Sequence, residues 1–331
     1  CDLGDELLYD KVIHRENQHL NAELLAYYKK VLSGLVSFQT IKIDAFDQSK
    51  FYPVQSFNKE SIGWDLEYFK YYFLKLHEID FNDKDLHHDF ETLIDHVLHD
   101  RINYFMYRDF QSRNILLKNG EPWFIDYQGG RRGPLAYDVA SLLYQAKARL
   151  SDSDRNILLK HYIETLKEKI DIDDKRFLNY YYPVALIRAL QTLGAYGFRG
   201  IYQKKSHFLQ SIGYALDNLK SLIPNLVALE FAPELKRCLE ELIEKQHLYK
   251  IEKRESFQLI INSFSYIKGG VPSDFSGHGG GYAFDCRLLP NPGRLDSYKK
   301  LTGMDNVVQD WLKQYKEVDE FLFDTSKIVK N

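Results

Sequence analysis

Residues 104–117, YFMYRDFQSRNILL, set a compact polar loop between two apolar runs. Arg108, Asp109, Gln111, Ser112, Arg113 and Asn114 fall inside it, with Asp109 and Asn114 five residues apart. A buried strand end that presents a carboxylate and a carboxamide needs water, a ligand or a metal ion to satisfy them. A further carboxylate, Asp126, stands at the exit of the next strand pattern, 17 residues after Asp109. A carboxylate is the hard oxygen donor that magnesium prefers.

The elements around the loop follow from periodicity. Tyr104–Tyr107 reads as a short strand. Ile115–Lys118, an Asn119-Gly120 turn and Trp123–Ile125 read as a β-hairpin. Helical patterns precede it at 17–36, 59–76 and 83–99. The second is apolar almost all round and is expected to be buried. The third is amphipathic, with Leu86, Phe90, Leu93, Ile94, Val97 and Leu98 on one face. It also carries His87, His88, His96 and His99, of which only His96 and His99 share a face, so a solvated surface is expected before a metal site. After Gly133-Pro134 a helix carries YDVASLLYQAKARL. Further helices are predicted over 151–168, opened by Ser151 and Asp154 in the S-x-x-D form, and over 174–197, 205–222 and 232–247. The charged stretch KIEKRES at 250–256 is a candidate linker, and a domain boundary is placed near 250. Beyond it SFQLIINSFSYI reads as a strand, GGVPSDFSGHGGGY as a glycine-rich loop and AFDCRLL as a second strand stopped by Pro290 and Pro292. Short helices close the chain.

The Asp-x4-Asn spacing matches the kinase catalytic-loop pattern HRDxxxxN, with Tyr107 where His usually stands. With the hairpin, Asp126-Tyr127-Gln128-Gly129 and GPLAYDVASLL in this order, residues 104–143 resemble the aminoglycoside phosphotransferase and choline kinase superfamily, including its amino-sugar kinase branch. The resemblance implies an α+β fold for residues 1–249: the mostly helical C-terminal lobe of a protein-kinase-like fold with a short β-hairpin. It implies ATP and Mg2+ as cofactors, Asp109 as catalytic base, Asn114 and Asp126 as magnesium ligands, and Leu116 and Ile125 as the floor of a nucleotide pocket. Arg113 would hold the Asp109 carboxylate or a substrate oxygen, or else form an ion pair that fixes the loop. Asp138 is expected to hydrogen-bond the loop. Arg131-Arg132 would meet a phosphate or stay solvated. CDLGDELLYD resembles the hinge between the lobes, and no GxGxxG precedes residue 104, so the chain is expected to start at the hinge without an N-terminal lobe and to turn over poorly as given.

Residues 263–312 resemble the RapZ C-terminal domain through SFxYxxGxPxD, FDxRxLPNP and LTGxD, although the SGHGGG insertion departs from the pattern. The likeness covers about the first half of that domain, so residues 250–331 are expected to form a partial, small α/β domain lacking the CTGGxHRS phosphate-binding turn. It implies an amino-sugar phosphate as ligand and, by family analogy alone, contact with RNA. His278, Asp285 and Arg287 are the candidate anion site there. Asp285 and Arg287 alternate with Phe284 and Cys286 and would face each other as an ion pair.

Composition narrows the partners. A net charge of −3 without a long Lys/Arg run does not indicate a broad nucleic-acid face, and no apolar run is long enough to cross a bilayer. Cys1, Cys238 and Cys286 are odd in number and widely spaced, which fits a reducing, cytoplasmic setting better than a disulfide framework. Two functions follow: a small-molecule kinase acting on an amino sugar of the N-acetylmuramate or N-acetylglucosamine type, and a non-catalytic kinase-like regulator coupled to an amino-sugar-phosphate sensor. A protein kinase fits less well, because no APE-type segment follows Asp126.

Overall fold

The computed structural model describes residues 4–15, 17, 19–51, 54–98, 103–127, 129–248, 262, 264 and 281–330. They fall into two compact units, one holding 4–248 and the other 262, 264 and 281–330.

The first unit is α+β. It runs through α1 (Leu8–Ile13), α2 (Ala22–Gln39), α3 (Lys59–Phe69) and α4 (Asp83–Leu98). The short strands β1 (Tyr104–Met106), β2 (Ile115–Lys118), β3 (Glu121–Phe124) and β4 (Arg131–Gly133) follow. Then come α5 (Leu135–Leu143), α6 (Asp152–Lys167), α7 (Asp174–Tyr196), α8 (Ser206–Leu222) and α9 (Pro233–Glu244). Helix α7 is central and packs against α3, α5 and α8, while α2 packs on α6. Its Val184, Leu186, Ile187, Leu190 and Leu193 are fully buried, so this helix organises the core.

Capping explains several boundaries. Helix α2 starts five residues after its predicted start, because the Asn21 side chain accepts the Leu24 N–H at 2.8 Å and so sets the N-cap. Ser151 accepts the Asp154 N–H at 3.1 Å and opens α6, as its S-x-x-D form predicts. On α4 the apolar face is buried as expected, and His87, His88 and His96 are exposed; His99 lies outside the described residues. No cluster of three or more His, Cys, Asp or Glu able to hold a metal ion occurs among the described residues.

The single helix predicted over 59–76 is not continuous. It leaves α-helical pitch after Phe69, passes through a π turn at Lys70–Leu74 and a 3-10 turn at Lys75–His77, and stops at Glu78 with φ 53°. Nor is it buried all round: Trp64, Tyr71 and Leu76 are exposed. The end of α7 crosses here so closely that a Cβ on Gly197 would strike the Tyr72 carbonyl oxygen. Replacing Gly197 by Ala is therefore expected to cost about 3 kcal/mol in urea unfolding. Gly63→Ala, on α3 with open space around it, is the control and should be neutral or slightly stabilising. Equal behaviour of the two variants would refute the close-crossing account.

The strands form two antiparallel pairs. β2 pairs with β3 in register Ile115↔Phe124 to Lys118↔Glu121, joined by Asn119 (φ 53°) and Gly120 (φ 76°), the two positive φ values a tight hairpin turn requires. β3 sits two residues earlier than predicted at its start, but the Ile125 N–H still donates to the Asn114 carbonyl at 3.0 Å. β1 pairs with β4, with Met106 opposite Arg131. Arg131 and Arg132 thus lie on a strand, and Arg131 is buried at 2% exposure instead of solvated.

In the second unit, α10 (Asn306–Leu312) and α11 (Lys316–Lys330) are the described helices. AFDCRLL is not a strand: no ladder partner pairs with it among the described residues. Its Asp285 carboxylate accepts the Arg287 backbone N–H at 3.0 Å, a local bond that competes with strand pairing. Apart from residues 262 and 264, the predicted strand at 256–267 lies outside the described residues. The glycine-rich loop does so up to Gly280, including His278. Among the described residues no helix is long and apolar enough to cross a membrane.

Candidate active site

The polar loop is held by three sets of bonds that all reach its backbone. The Asp138 carboxylate, fully buried on α5, accepts the Tyr107 N–H at 2.7 Å and the Arg108 N–H at 2.8 Å. Gln145 accepts both the backbone N–H and the hydroxyl of Ser112, at 2.9 and 2.6 Å. The Asn114 side-chain NH2 donates to the Asp109 carbonyl at 2.9 Å. That last bond fixes the carboxamide: its nitrogen is committed to Asp109, which leaves Oδ1 as the acceptor end. The ladder bond from Ile125 N–H to the Asn114 carbonyl then brings Asp126, the next residue, to the same end of the hairpin. Asp126 is exposed and holds φ 61°, and Arg108 holds φ 81°. Two non-glycine residues in the left-handed region, at about 1 kcal/mol or more each, mark a backbone held by its surroundings.

Tyr107 takes the place of the expected His and fills it differently. Its hydroxyl donates to the Ile125 carbonyl at 2.8 Å, tying the start of the loop to the strand end before Asp126. Burial, then the charge of Asp126, pushes the phenol up to about 12. Phe110 and Tyr127 pack edge-on against its ring, 5.6 and 5.4 Å away.

The hairpin has two different faces. Ile115, Leu117 and Phe124 point to the core, where Phe124 meets Phe38 and Phe110. Leu116, its partner Trp123 and, by alternation, Ile125 share the other face. Trp123 is 47% exposed there, so this face presents an apolar surface beside Asn114 and Asp126. The segment read as a hinge runs alongside: the Leu117 N–H donates to the Glu6 carbonyl at 2.8 Å, and Leu7 bridges to Leu116.

Comparison with known proteins now bears on this geometry. The model of the phosphotransferase enzyme family matches residues 10–172, which contain the whole loop and hairpin. The RapZ C-terminal domain model matches residues 257–331. A nucleotide-binding protein of Histophilus somni (strain 2336) is 27% identical over 190 residues, covering 57% of this chain and 53% of that protein. One of Bacillus thuringiensis (strain Al Hakam) is 36% identical over 84 residues, covering 25% of this chain and 27% of that protein. The chain thus spans about half the length of the former and about a quarter of the latter. Among solved structures, a choline kinase from Cryptosporidium parvum Iowa II is 10% identical with a TM-score of 0.40, covering 74% of this chain and 72% of that one.

Within this phosphotransferase region, the structure gathers Asp109, Asn114 and Asp126 at one end of the hairpin and sets Leu116 and Ile125 on the face beside them. Of the roles expected for Arg113, an ion pair with Asp109 is not formed, and contact with a substrate oxygen stays open. The side chain is exposed on the 3-10 turn Ser112–Asn114. Its charge acts instead on the hydroxyls of Tyr9 and Tyr196. In the second unit, Asp285 and Arg287 form the expected ion pair at 2.5 Å, both exposed, so each charge is already matched by the other.

Sequence reading named Arg131 but missed the charged groups it meets from afar. Asp65 on α3 interacts with Arg131 on β4, with Arg188 on α7 and with Arg108 of the loop. Burial pushes the Asp65 carboxyl up to about 6, against the pull of Arg108, Arg188 and Arg131. Burial and then the like charge of Arg108 bring Arg131 down to about 10. Arg188 donates from Nε to the Ser141 hydroxyl at 2.6 Å and from Nη1 to Thr192 at 2.8 Å, and lies 5.8 Å from the Tyr137 ring centroid. A lone charge on an amphipathic helix carries no sequence signal; Trp123 did, through its alternation with Leu116 across the hairpin.

Proposed function

We propose that the first unit transfers the γ-phosphoryl group of ATP, with Mg2+, to a hydroxyl of a small molecule, and that the acceptor is an amino sugar of the N-acetylmuramate or N-acetylglucosamine type. The observation that carries the reading is the tether from Asn114 to the Asp109 carbonyl, with Asp126 delivered next to Asn114 by the Ile125 ladder bond. A base and one oxygen donor then stand on one loop with a second donor at the adjoining strand end, and catalysis of this kind is mostly positioning and charge stabilisation.

The donor set suits magnesium. That ion takes one or two protein oxygens, substrate phosphates and water, and the structure offers the Asn114 Oδ1 and the Asp126 carboxylate without a third acidic or histidine ligand among the described residues. When bound there, the ion would neutralise charge on the triphosphate. The chain's own residues do the rest. The face of Leu116, Trp123 and Ile125 supports the nucleotide base. Asp109 accepts the proton of the acceptor hydroxyl as it attacks, and the Asp138 bonds hold Asp109 at that position. The amino-sugar acceptor rests on the pairing of the phosphotransferase and RapZ-type regions in one chain.

The test is ADP release with Mg-ATP over a panel of amino sugars and non-sugar alcohols. Sugar-dependent release names the acceptor. Release stimulated only by the non-sugar alcohols removes the amino-sugar assignment. No release with any acceptor, from folded full-length gene product with an intact nucleotide-clamping lobe, favours the non-catalytic regulator.

A further inference from the structure

We infer that the cavity between β1, the start of α5 and the start of α7 binds a small uncharged aromatic molecule, and that its occupant steadies the anchor of the polar loop. The site stands apart from the phosphotransferase reading: none of the residues given a part in that reading lines the cavity.

The cavity has a volume of about 190 Å³. About 150 Å³ is enough to hold benzene, so a substituted single ring or a fused pair fits. Leu135, Ile170 and Ile172 supply aliphatic wall, and Tyr104, Phe177 and Tyr180 supply rings. Phe177 and Tyr180 are buried, with ring centroids 5.7 Å apart and planes at 84°. Two rings at a right angle make a corner. A flat ring set into it meets one of them by its face and the other by its edge, arrangements that aromatic pairs prefer. A saturated ring of the same size fills the space without those contacts.

The polar groups choose the charge. Asp171, Asp173 and Arg176 line the cavity but are exposed, so they stand at its mouth. Two carboxylates against one guanidinium disfavour an anion, and the apolar walls disfavour a charge of either sign. Tyr104 is half-buried, and its hydroxyl makes no hydrogen bond among the described residues, so it is able to pair with a hydroxyl or N–H on the edge of the ligand.

The walls are also the supports of the loop. Leu135 opens α5, and Asp138, one turn on, holds the Tyr107 and Arg108 N–H groups. The Tyr180 hydroxyl accepts the Ala136 N–H at 3.3 Å, which ties α7 to the same turn of α5. Tyr104 begins β1, three residues before Tyr107. An occupant therefore packs at once against the helix that carries Asp138, the tyrosine that holds that helix and the strand that leads into the loop. Binding to the closed arrangement makes its local opening rarer.

Ligand-observed NMR titration of the intact protein tests the site, with phenol and indole as probes, cyclohexanol as the saturated control and benzoate as the anionic one. Phenol or indole should bind about tenfold tighter than cyclohexanol, the scale of one or two ring contacts, and tighter than benzoate. Ile172→Trp, which fills the cavity from its wall, should abolish binding, with a thermal melt confirming the fold. In the wild type, hydrogen exchange at the Tyr107 and Arg108 amides should slow several-fold when the better aromatic probe saturates, a readout that stands even if the variant fails to fold. No aromatic binding, aromatic binding no tighter than that of cyclohexanol or benzoate, or binding undiminished in folded Ile172→Trp overturns the site. Binding lost in Ile172→Trp but with exchange at those two amides unchanged in the wild type overturns the link to the loop anchor.

Discussion

Asp109→Asn is expected to lower phosphoryl transfer about a thousandfold, the loss typical of removing a positioned general base. The structure makes this variant unusually clean. The loop is tethered through the Asp109 carbonyl, the Tyr107 and Arg108 N–H groups and Ser112, and none of those bonds uses the Asp109 carboxylate. Asparagine keeps the size of the side chain and removes its proton affinity, so the melting temperature should move by no more than about a degree. Steady-state kinetics and a thermal melt on the same preparation check both halves. Turnover within about tenfold of wild type would remove Asp109 from the role of base.

Asp138→Ala is expected to have the largest effect on stability, about 4 kcal/mol. It strips two buried backbone donors of their acceptor, at roughly 1–3 kcal/mol each, and opens a void in the core. Because those donors belong to Tyr107 and Arg108, activity should fall with stability. A pH dependence follows as well. Burial is the main cause that pushes the Asp138 carboxyl up to about 7, while the two N–H donations and the Arg188 charge pull the other way. Between about pH 4 and 7 the unfolded chain has released this proton and the folded chain retains it. The Asp138 contribution to stability therefore falls as pH rises through that window and levels off above 7. Urea unfolding from pH 4.5 to 8 should show the slope in wild type and its loss in Asp138→Asn. Identical pH slopes for the two proteins would contradict the assignment.

What the sequence disclosed follows the same physics. Asp109, Asn114 and Asp126 lie within one short run whose hairpin is announced by an Asn-Gly turn, so local spacing was enough to bring them together. Asp65, Arg131 and Arg188 reach the same place from a helix, a strand and another helix, and no spacing rule links such positions. The helix patterns were readable because apolar period reports burial, as on α4. Their ends were less so: α2 begins where the Asn21 side chain takes the Leu24 N–H, and α3 ends where α7 passes close behind it. AFDCRLL shows the complementary failure. Alternation tells which residues share a face, but a strand also needs a neighbour, and Asp285 turned its hydrogen bonding onto its own segment.

The bond from Tyr107 to the Ile125 carbonyl has a further consequence. An imidazole in that position would change charge near neutrality. The phenol, pushed up to about 12, keeps its proton from acid to well beyond any cellular alkalinity. The join between the loop and the strand end before Asp126 is therefore blind to acidification. When the surroundings turn sour, this join keeps its bond, while the Asp138 anchor of the same loop takes up its proton near 7.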